Sequence, residues 1–295
     1  MVATPELKHI LRIYSFQWRS KLEIAEEISL LNRLKENGVA VSYPIINLRQ
    51  KYILELQAPE GLRYGVLFSF AAGKKVRDFS AGTAYNIGQL MARLHQYTQN
   101  LSLARITYDT DSLVLSAFNK AKERFAETNE DMRFILGAEK RIRKEFSAVE
   151  NSSLRNGIVH LDIWYDNMHI KNESEMTIFD FDFCGNGWLL HDIAYFIMQL
   201  YHNEPDKQLY RTKQQAFFSG YEAIATISAE EKKLLPYSGL AIWIFYLGVQ
   251  SERFDNWSNV FLSESFLNRF MNMARDWMKF HQIEIEVDHL QEGIA

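Results

Sequence analysis

The stretch Ile158-Val159-His160-Leu161-Asp162-Ile163-Trp164-Tyr165-Asp166-Asn167-Met168-His169-Ile170 sets a histidine, an aspartate and an asparagine between apolar, branched residues. Shortly beyond it comes Ile178-Phe179-Asp180-Phe181-Asp182-Phe183, an acidic pair embedded in aromatics. A carboxylate in such company is costly unless it is hydrogen-bonded or bound to a cation. The segments Ile158–Ile163 and Met176–Phe183 read as short strands, with the polar turn Lys171–Glu175 ahead of the second. Two carboxylate-bearing loops and an amide on adjacent strands make a hard-oxygen site, suited to Mg²⁺ carrying phosphate ligands.

Upstream, Asn151–Asn156 is a polar break, and Ser112 to Glu150 is a charged, amphipathic region that reads as two helices. Thr83–Gln99 keeps Ile87, Leu90, Met91 and Leu94 on one helical stripe. Before Gly73 the texture is different. His9–Tyr14, Val41–Ile46, Lys51–Gln57 and Tyr64–Phe70 are strand-like, with Pro59-Glu60-Gly61 as a turn. Between the first two, Lys21–Gly38 places Leu22, Ala25, Ile28, Leu31 and Leu34 at helical spacing and ends on Asn37-Gly38. From His191 onward the pattern is helical, punctuated by Pro205 and Pro236. The expected architecture is α+β, with a small mixed-sheet part over residues 1–72 and a larger, mainly helical part over 73–295.

Composition narrows the classes. The 295 residues carry 33 basic and 37 acidic side chains, a formal net charge of −4, with 47% hydrophobic and 24% charged residues. That is an ordinary globular balance, and its slight acidity argues against a nucleic-acid partner. The single cysteine, Cys184, excludes an intramolecular disulfide framework and a multi-thiolate zinc site. A buried thiol is the favoured reading of it, and lone cysteines suit a reducing compartment. The N-terminus lacks the pattern of a secretory leader. The most apolar run, Gly239–Val249, is about eleven residues, short of the ~20 that cross a bilayer. A cytoplasmic chain with no membrane partner is expected, its oligomeric state left open.

The spacing His160-x-Asp162-x-x-x-x-Asn167, followed by a strand ending in Asp180-Phe181, is that of a kinase catalytic loop and metal-binding aspartate. On these residues the chain resembles the aminoglycoside phosphotransferase and choline kinase superfamily, which shares the protein kinase fold. Trp188–Ala194, Tyr64–Gly73, Ile87–His95 and Phe218–Tyr221 are each similar to segments of that superfamily, so the likeness runs from about His9 to about Phe254. It implies two lobes, use of ATP and Mg²⁺, and transfer of the γ-phosphate to a hydroxyl. Asp162 would take or orient the hydroxyl proton, and His160 would brace its loop. Asn167 and Asp180 would hold the metal. Asp182 is either a second metal contact or a hydrogen-bonded structural carboxylate.

For the nucleotide, the resemblance implies a cation on a strand, read as Arg12, and a helix carboxylate, read as Glu27 with Glu26 as rival. It also implies nucleotide contact by Phe68 and Phe70 on the hinge strand. The family's strand–glycine-rich loop–strand unit is not found in the eight residues before His9, so either the start of the chain is placed too late or the small lobe lacks its first hairpin. The acceptor is expected to be a small molecule, an aminoglycoside, amino alcohol or homoserine-like compound. A cationic one is a candidate, because Trp243, Phe245, Tyr246, Phe254 and Trp257 could hold an ammonium by cation–π attraction. Glu252 and Asp255 would suit the same charge, although core packing explains most of that cluster. A kinase-fold binding protein without turnover and a stress-response-type protein kinase remain as alternatives.

Overall fold

The computed structural model describes residues 2–3, 8–253 and 262–286. They fall into two compact units, the first formed by Met1–Ile106, Asn156–Asn186 and Asn203–Thr226, the second by Thr107–Arg155, Gly187–His202 and Ile227–Ala295.

The first unit holds a five-stranded sheet of β1 (Val2–Ala3), β2 (Lys8–Ile13), β3 (Pro44–Ile45), β4 (Ile53–Ala58) and β5 (Gly61–Ser69). Strand β5 is central. On one side Leu11 of β2 pairs with Leu67. On the other, β4 and then β3 follow one another, with Leu56 opposite Arg63 and Pro44 opposite Phe68. The sequence reads as a mixed sheet, yet all four registered pairings are antiparallel. The β4–β5 link is a two-residue turn, which only antiparallel neighbours can use. β2 and β3, joined through a helix, flank β5 from opposite sides and both run against it.

That helix, α1 (Lys21–Glu36), starts on a capping box between Ser20 and Glu23 and stops at Asn37. Its inward face differs from the predicted stripe. Ile24, Glu27, Ile28, Leu31 and Leu34 are buried, while Leu22 is 59% exposed and Ala25 also faces solvent. A buried carboxylate at Glu27 means that this face is turned towards ionic partners as well as towards the core.

The two segments that carry the acids are strands for only part of their expected length. Strand β6 (Asn156–Val159) stops before His160, and the hairpin β7 (Met168–Ile170) with β8 (Met176–Ile178) stops before Asp180. Leu161 and Asp180 both have left-handed backbone, with φ of 66° and 67°, which ends a strand and lifts the following residues out of the sheet. Gly73, where the sequence texture changes, has φ of +103°, and a Cβ there would lie 2.5 Å from the Ile170 backbone. Only glycine fits that approach. Two helices complete this unit, α2 (Ala81–Thr98) and α6 (Lys207–Glu222).

The second unit is helical: α3 (Ser116–Ala121), α4 (Glu130–Ser147), most of α5 (Leu190–Asn203), α7 (Ala229–Arg253) and α8 (Glu264–Phe280). Strand β9 (Gly185–Trp188) leads into α5. Pro236 does not punctuate, because it lies inside α7, where its carbonyl accepts from Trp277 Nε1 at 2.9 Å. The apolar run Gly239–Val249 is therefore part of a 25-residue helix whose most apolar window has a mean hydropathy of 1.2, enough by length and composition to cross a membrane. However, 83% of that window is buried inside the protein, the pattern of a core helix.

Candidate active site

Within the first unit, the loop after β6 is held by its own polar residues. His160 is 1% exposed. Its Nε2 lies 3.2 Å from the Phe179 carbonyl, and the Asp162 N–H points at its Nδ1 from 3.2 Å. A carbonyl can only accept and a backbone N–H can only donate, so the two contacts fit a ring with Nε2 donating and Nδ1 accepting. His160 thus ties the Asp162 loop to the Asp180 segment, a bracing role. Asn167 donates its amide to the Asp162 carboxylate Oδ2 at 2.7 Å and to the Asp162 carbonyl at 3.0 Å. This fixes the carboxylate and directs both N–H groups of Asn167 away from its own oxygen, Oδ1. A backbone bond from Phe179 N to Asn167 O, 3.0 Å long, closes the circuit between the two acidic segments.

Arg12, on β2, meets Asp180 at 2.6 Å, Asp182 at 3.4 Å and Glu27 at 4.0 Å. Burial disfavours the guanidinium charge, but Asp180, Asp182 and Glu27 outweigh it and raise its pKa. The helix carboxylate beside Arg12 is Glu27. Its rival Glu26 accepts instead from Ala104 N at 2.9 Å. Glu27 is 1% exposed, and burial pushes its carboxyl up to about 7 against the pull of Arg12 and Arg105. The Tyr14 hydroxyl donates to it at 3.0 Å, and Arg105 stands 3.8 Å away.

The adjacent acids differ sharply. The Asp180 side chain is 43% exposed, and that of Asp182 is 2% exposed. Asp182 accepts from Trp18 Nε1 at 2.7 Å and from Arg19 Nε at 3.2 Å. Burial alone would raise its pKa, but Arg12, Arg19 and the Trp18 bond lower it. Of the two readings of Asp182, the geometry favours the structural carboxylate: it is buried, and both oxygens accept from protein donors.

Arg12, Glu27, Phe68, Phe70 and Asp180 all border one cavity of about 430 Å³, whose walls are completed by apolar residues such as Ile10, Leu31 and Phe179. An apolar slot of this size with a few charged groups at one place is the usual form of a small-molecule site. His169 is part of the lining and donates from Nδ1 to the Ala71 carbonyl at 2.7 Å. Cys184 is fully buried, and burial raises its thiol to about 12, which leaves it inert.

Sequence reasoning missed Trp18, Arg19 and Arg105. None belongs to a motif, and each acts across more than 75 positions of chain. In the second unit, Trp243 stacks on Phe270 at 4.6 Å, Phe245 meets Tyr108 edge-on at 5.6 Å, and Tyr246 stacks on Tyr195 at 5.2 Å. Trp243 and Phe245 are buried in these contacts, while Tyr246 and Phe270 are half-buried. Glu252 is paired with Lys120 at 2.5 Å. Phe254, Asp255 and Trp257 lie outside the described residues.

Among the described residues, no group of three or more His, Cys, Asp and Glu side chains is placed to hold a metal ion. A carboxylate and an amide oxygen are nevertheless the small donor set expected where phosphates complete the coordination of a hard cation. The loop, the cation on β2 and the cavity together define a protein of the kinase class. Residues 2–227 match the model of the phosphotransferase enzyme family, and the chain belongs to that family. It is 30% identical over 289 residues to the uncharacterized Synechocystis sp. protein sll1119, covering 95% of this chain and 79% of that one. It is 26% identical over 233 residues to a homoserine kinase of Bradyrhizobium diazoefficiens, covering 79% and 68%. Among solved structures, the amicoumacin kinase hAmiN in complex with AMP-PNP, Ca²⁺ and Ami superposes with a TM-score of 0.74 at 19% identity, covering 95% of this chain and 85% of that one. A microcompartment-associated aminopropanol kinase also reaches 0.74, at 15% identity and 96% and 89% coverage. The fold is the two-lobed, protein-kinase-like α+β fold, and the protein is an enzyme that transfers phosphoryl groups.

Proposed function

We propose that the enzyme moves the γ-phosphate of ATP, with Mg²⁺, onto the hydroxyl of a small amino alcohol. The observation that carries this is the hydrogen-bonded chain Asp162–Asn167–Phe179, which ends beside Asp180 and Arg12 at the cavity wall. The apolar walls around Phe68 and Phe70 suit a nucleobase. The Arg12 guanidinium, with its fixed fork of donors, suits phosphate. Asp180 and the Asn167 amide oxygen would hold the cation, which when bound neutralises charge on the phosphates. Asp162, kept oriented by Asn167, takes the proton of the acceptor hydroxyl. The new O–P bond then forms as the β–γ bridging bond breaks and ADP leaves.

The acceptor class rests on likeness. Homoserine and aminopropanol, which name two of the similar kinases, each carry a hydroxyl and an amine. The test is phosphate transfer from Mg-ATP to a panel of amino alcohols, homoserine, aminoglycosides and a generic protein substrate. Asp162→Asn should lose about 10²–10⁴-fold in kcat, the usual worth of a positioned base, with nucleotide affinity retained. A wild-type chain that binds ATP yet phosphorylates nothing above the Asp162→Asn background would instead support binding without turnover.

A further inference from the structure

The connection after α2 contains no motif, yet it touches both elements that must be aligned for catalysis. Ala104 N donates to Glu26 of α1 at 2.9 Å. Asn186 grips the same segment from the other side. Its Oδ1 accepts from Leu103 N at 2.8 Å, and its Nδ2 donates to the carbonyls of Leu103 and Arg105 at 3.1 and 3.2 Å. Between these anchors, the Arg105 side chain is 1% exposed. Its Nη1 donates to the Glu23 carbonyl of α1 at 3.3 Å and to Cys184 Sγ at 3.3 Å, and stands 3.8 Å from Glu27 Oε2. Its Nη2 donates to the Asp182 carbonyl.

One planar guanidinium therefore spans from the first turns of α1 to the turn that follows Asp180. Arg12, by contrast, sits closer to Asp180 than to Glu27. Glu27 has Arg105 as a second cation, buried and committed to protein partners, while Arg12 lies at the cavity. We propose that Arg105 is a positioning residue for phosphoryl transfer, holding the Asp180–Cys184 turn in register with α1 so that Asp180 is set for the metal and Arg12 is left for phosphate. The inference rests on the phosphotransferase reading above. A guanidinium can serve both sides at once because its donors fan out in one rigid plane, whereas an ammonium on a flexible stem keeps the charge and loses the span.

The test is calorimetric titration of the full chain with AMP-PNP, in EDTA and then in Mg²⁺, for wild type, Arg105→Lys and Asn186→Ala. Partners behind a metal ligand typically govern 10–100-fold in metal affinity. Folded Arg105→Lys should keep the wild-type affinity in EDTA and lose about tenfold of the gain that Mg²⁺ confers. Asn186→Ala, which loosens the strap without removing a charge, should lose part of that gain in the same direction. A purely structural role would lower the melting temperature and leave the Mg²⁺ gain of the folded fraction intact, so an intact gain in either folded variant overturns the proposal. A wild-type chain that shows no Mg²⁺ gain overturns the proposed use of Mg-ATP at this site, a separate and recognisable failure.

Discussion

Asp180 and Asp182 stand two positions apart in opposite surroundings. Asp180 is 43% exposed at its side chain and paired with an Arg12 that is itself partly open to solvent. Such half-exposed pairs contribute at most about 1 kcal/mol. Asp182 is buried against Trp18, Arg19 and Arg12, and neutralising it takes from Arg19 its nearest carboxylate and from Arg12 one of three. Breaking a buried pair by removing one partner costs about 3–5 kcal/mol. Urea unfolding should therefore show Asp182→Asn destabilised by about 3 kcal/mol and Asp180→Asn changed by less than about 1. Metal-dependent nucleotide binding should show the reverse order at matched folded fraction: Asp180→Asn abolishes it and Asp182→Asn largely keeps it. Equal loss of the metal response in both would return Asp182 to the coordination sphere.

At the scale of elements, α2 and α6 approach so closely that backbone meets backbone. A Cβ at Gly220 would lie 1.9 Å from the Tyr85 carbonyl oxygen, and one at Gly88 would lie 2.1 Å from that of Phe217. Close by, Tyr221 meets His95 Nδ1 at 2.7 Å. Neither helix can yield without lifting its neighbours, so Gly220→Ala should cost about 1–3 kcal/mol in a urea midpoint, the typical penalty of overpacking. Gly88→Ala should cost a similar amount, and the double variant less than the sum, because both methyls would pry apart one crossing. The sequence signatures around Ile87–His95 and Phe218–Tyr221 were legible as helices, and the His160/Asp162/Asn167/Asp180 spacing as a site, because both are local patterns. The ends of the acid-bearing strands were not. Nothing in Ile158–Ile163 or Met176–Phe183 signals that Leu161 and Asp180 leave the β region; the contacts that fix their surroundings, His160 to Phe179, Phe179 to Asn167 and Arg12 to Asp180, come from other segments. Arg105 was invisible for the same reason, since its meaning lies in partners from two distant elements.

For the whole molecule, buried titratable groups in the two units pull the pH dependence of folding in opposite directions. In the first unit, Glu27 is raised from 4.5 to about 7 by burial, against Arg12 and Arg105, with Asp182 adding to the rise and the Tyr14 bond opposing it. Between those values the folded chain holds a proton that the unfolded chain has released, so this group's contribution falls as pH rises. In the second unit, His191 is lowered from 6.5 to about 4 by burial, despite Asp192, the Tyr108 backbone and Asp109, which favour its charge. Its Nδ1 lies 2.7 Å from Ser238 Oγ. His281, against Trp277, is likewise lowered to about 4. Here the unfolded chain binds the proton first, so stability is lost as pH falls below 6.5. One proton of difference is worth about 1.4 kcal/mol per pH unit. From pH 6.5 to 5, wild type should lose about 2 kcal/mol relative to His191→Gln. Over the same interval it should gain about 2 kcal/mol relative to Glu27→Gln. Chemical denaturation of the three proteins at half-unit steps reads both slopes against a common reference, so charges shared by all three cancel. Parallel curves for wild type and Glu27→Gln would mean that Glu27 stays ionised beside Arg105 throughout, and parallel curves for His191→Gln would mean that water reaches His191.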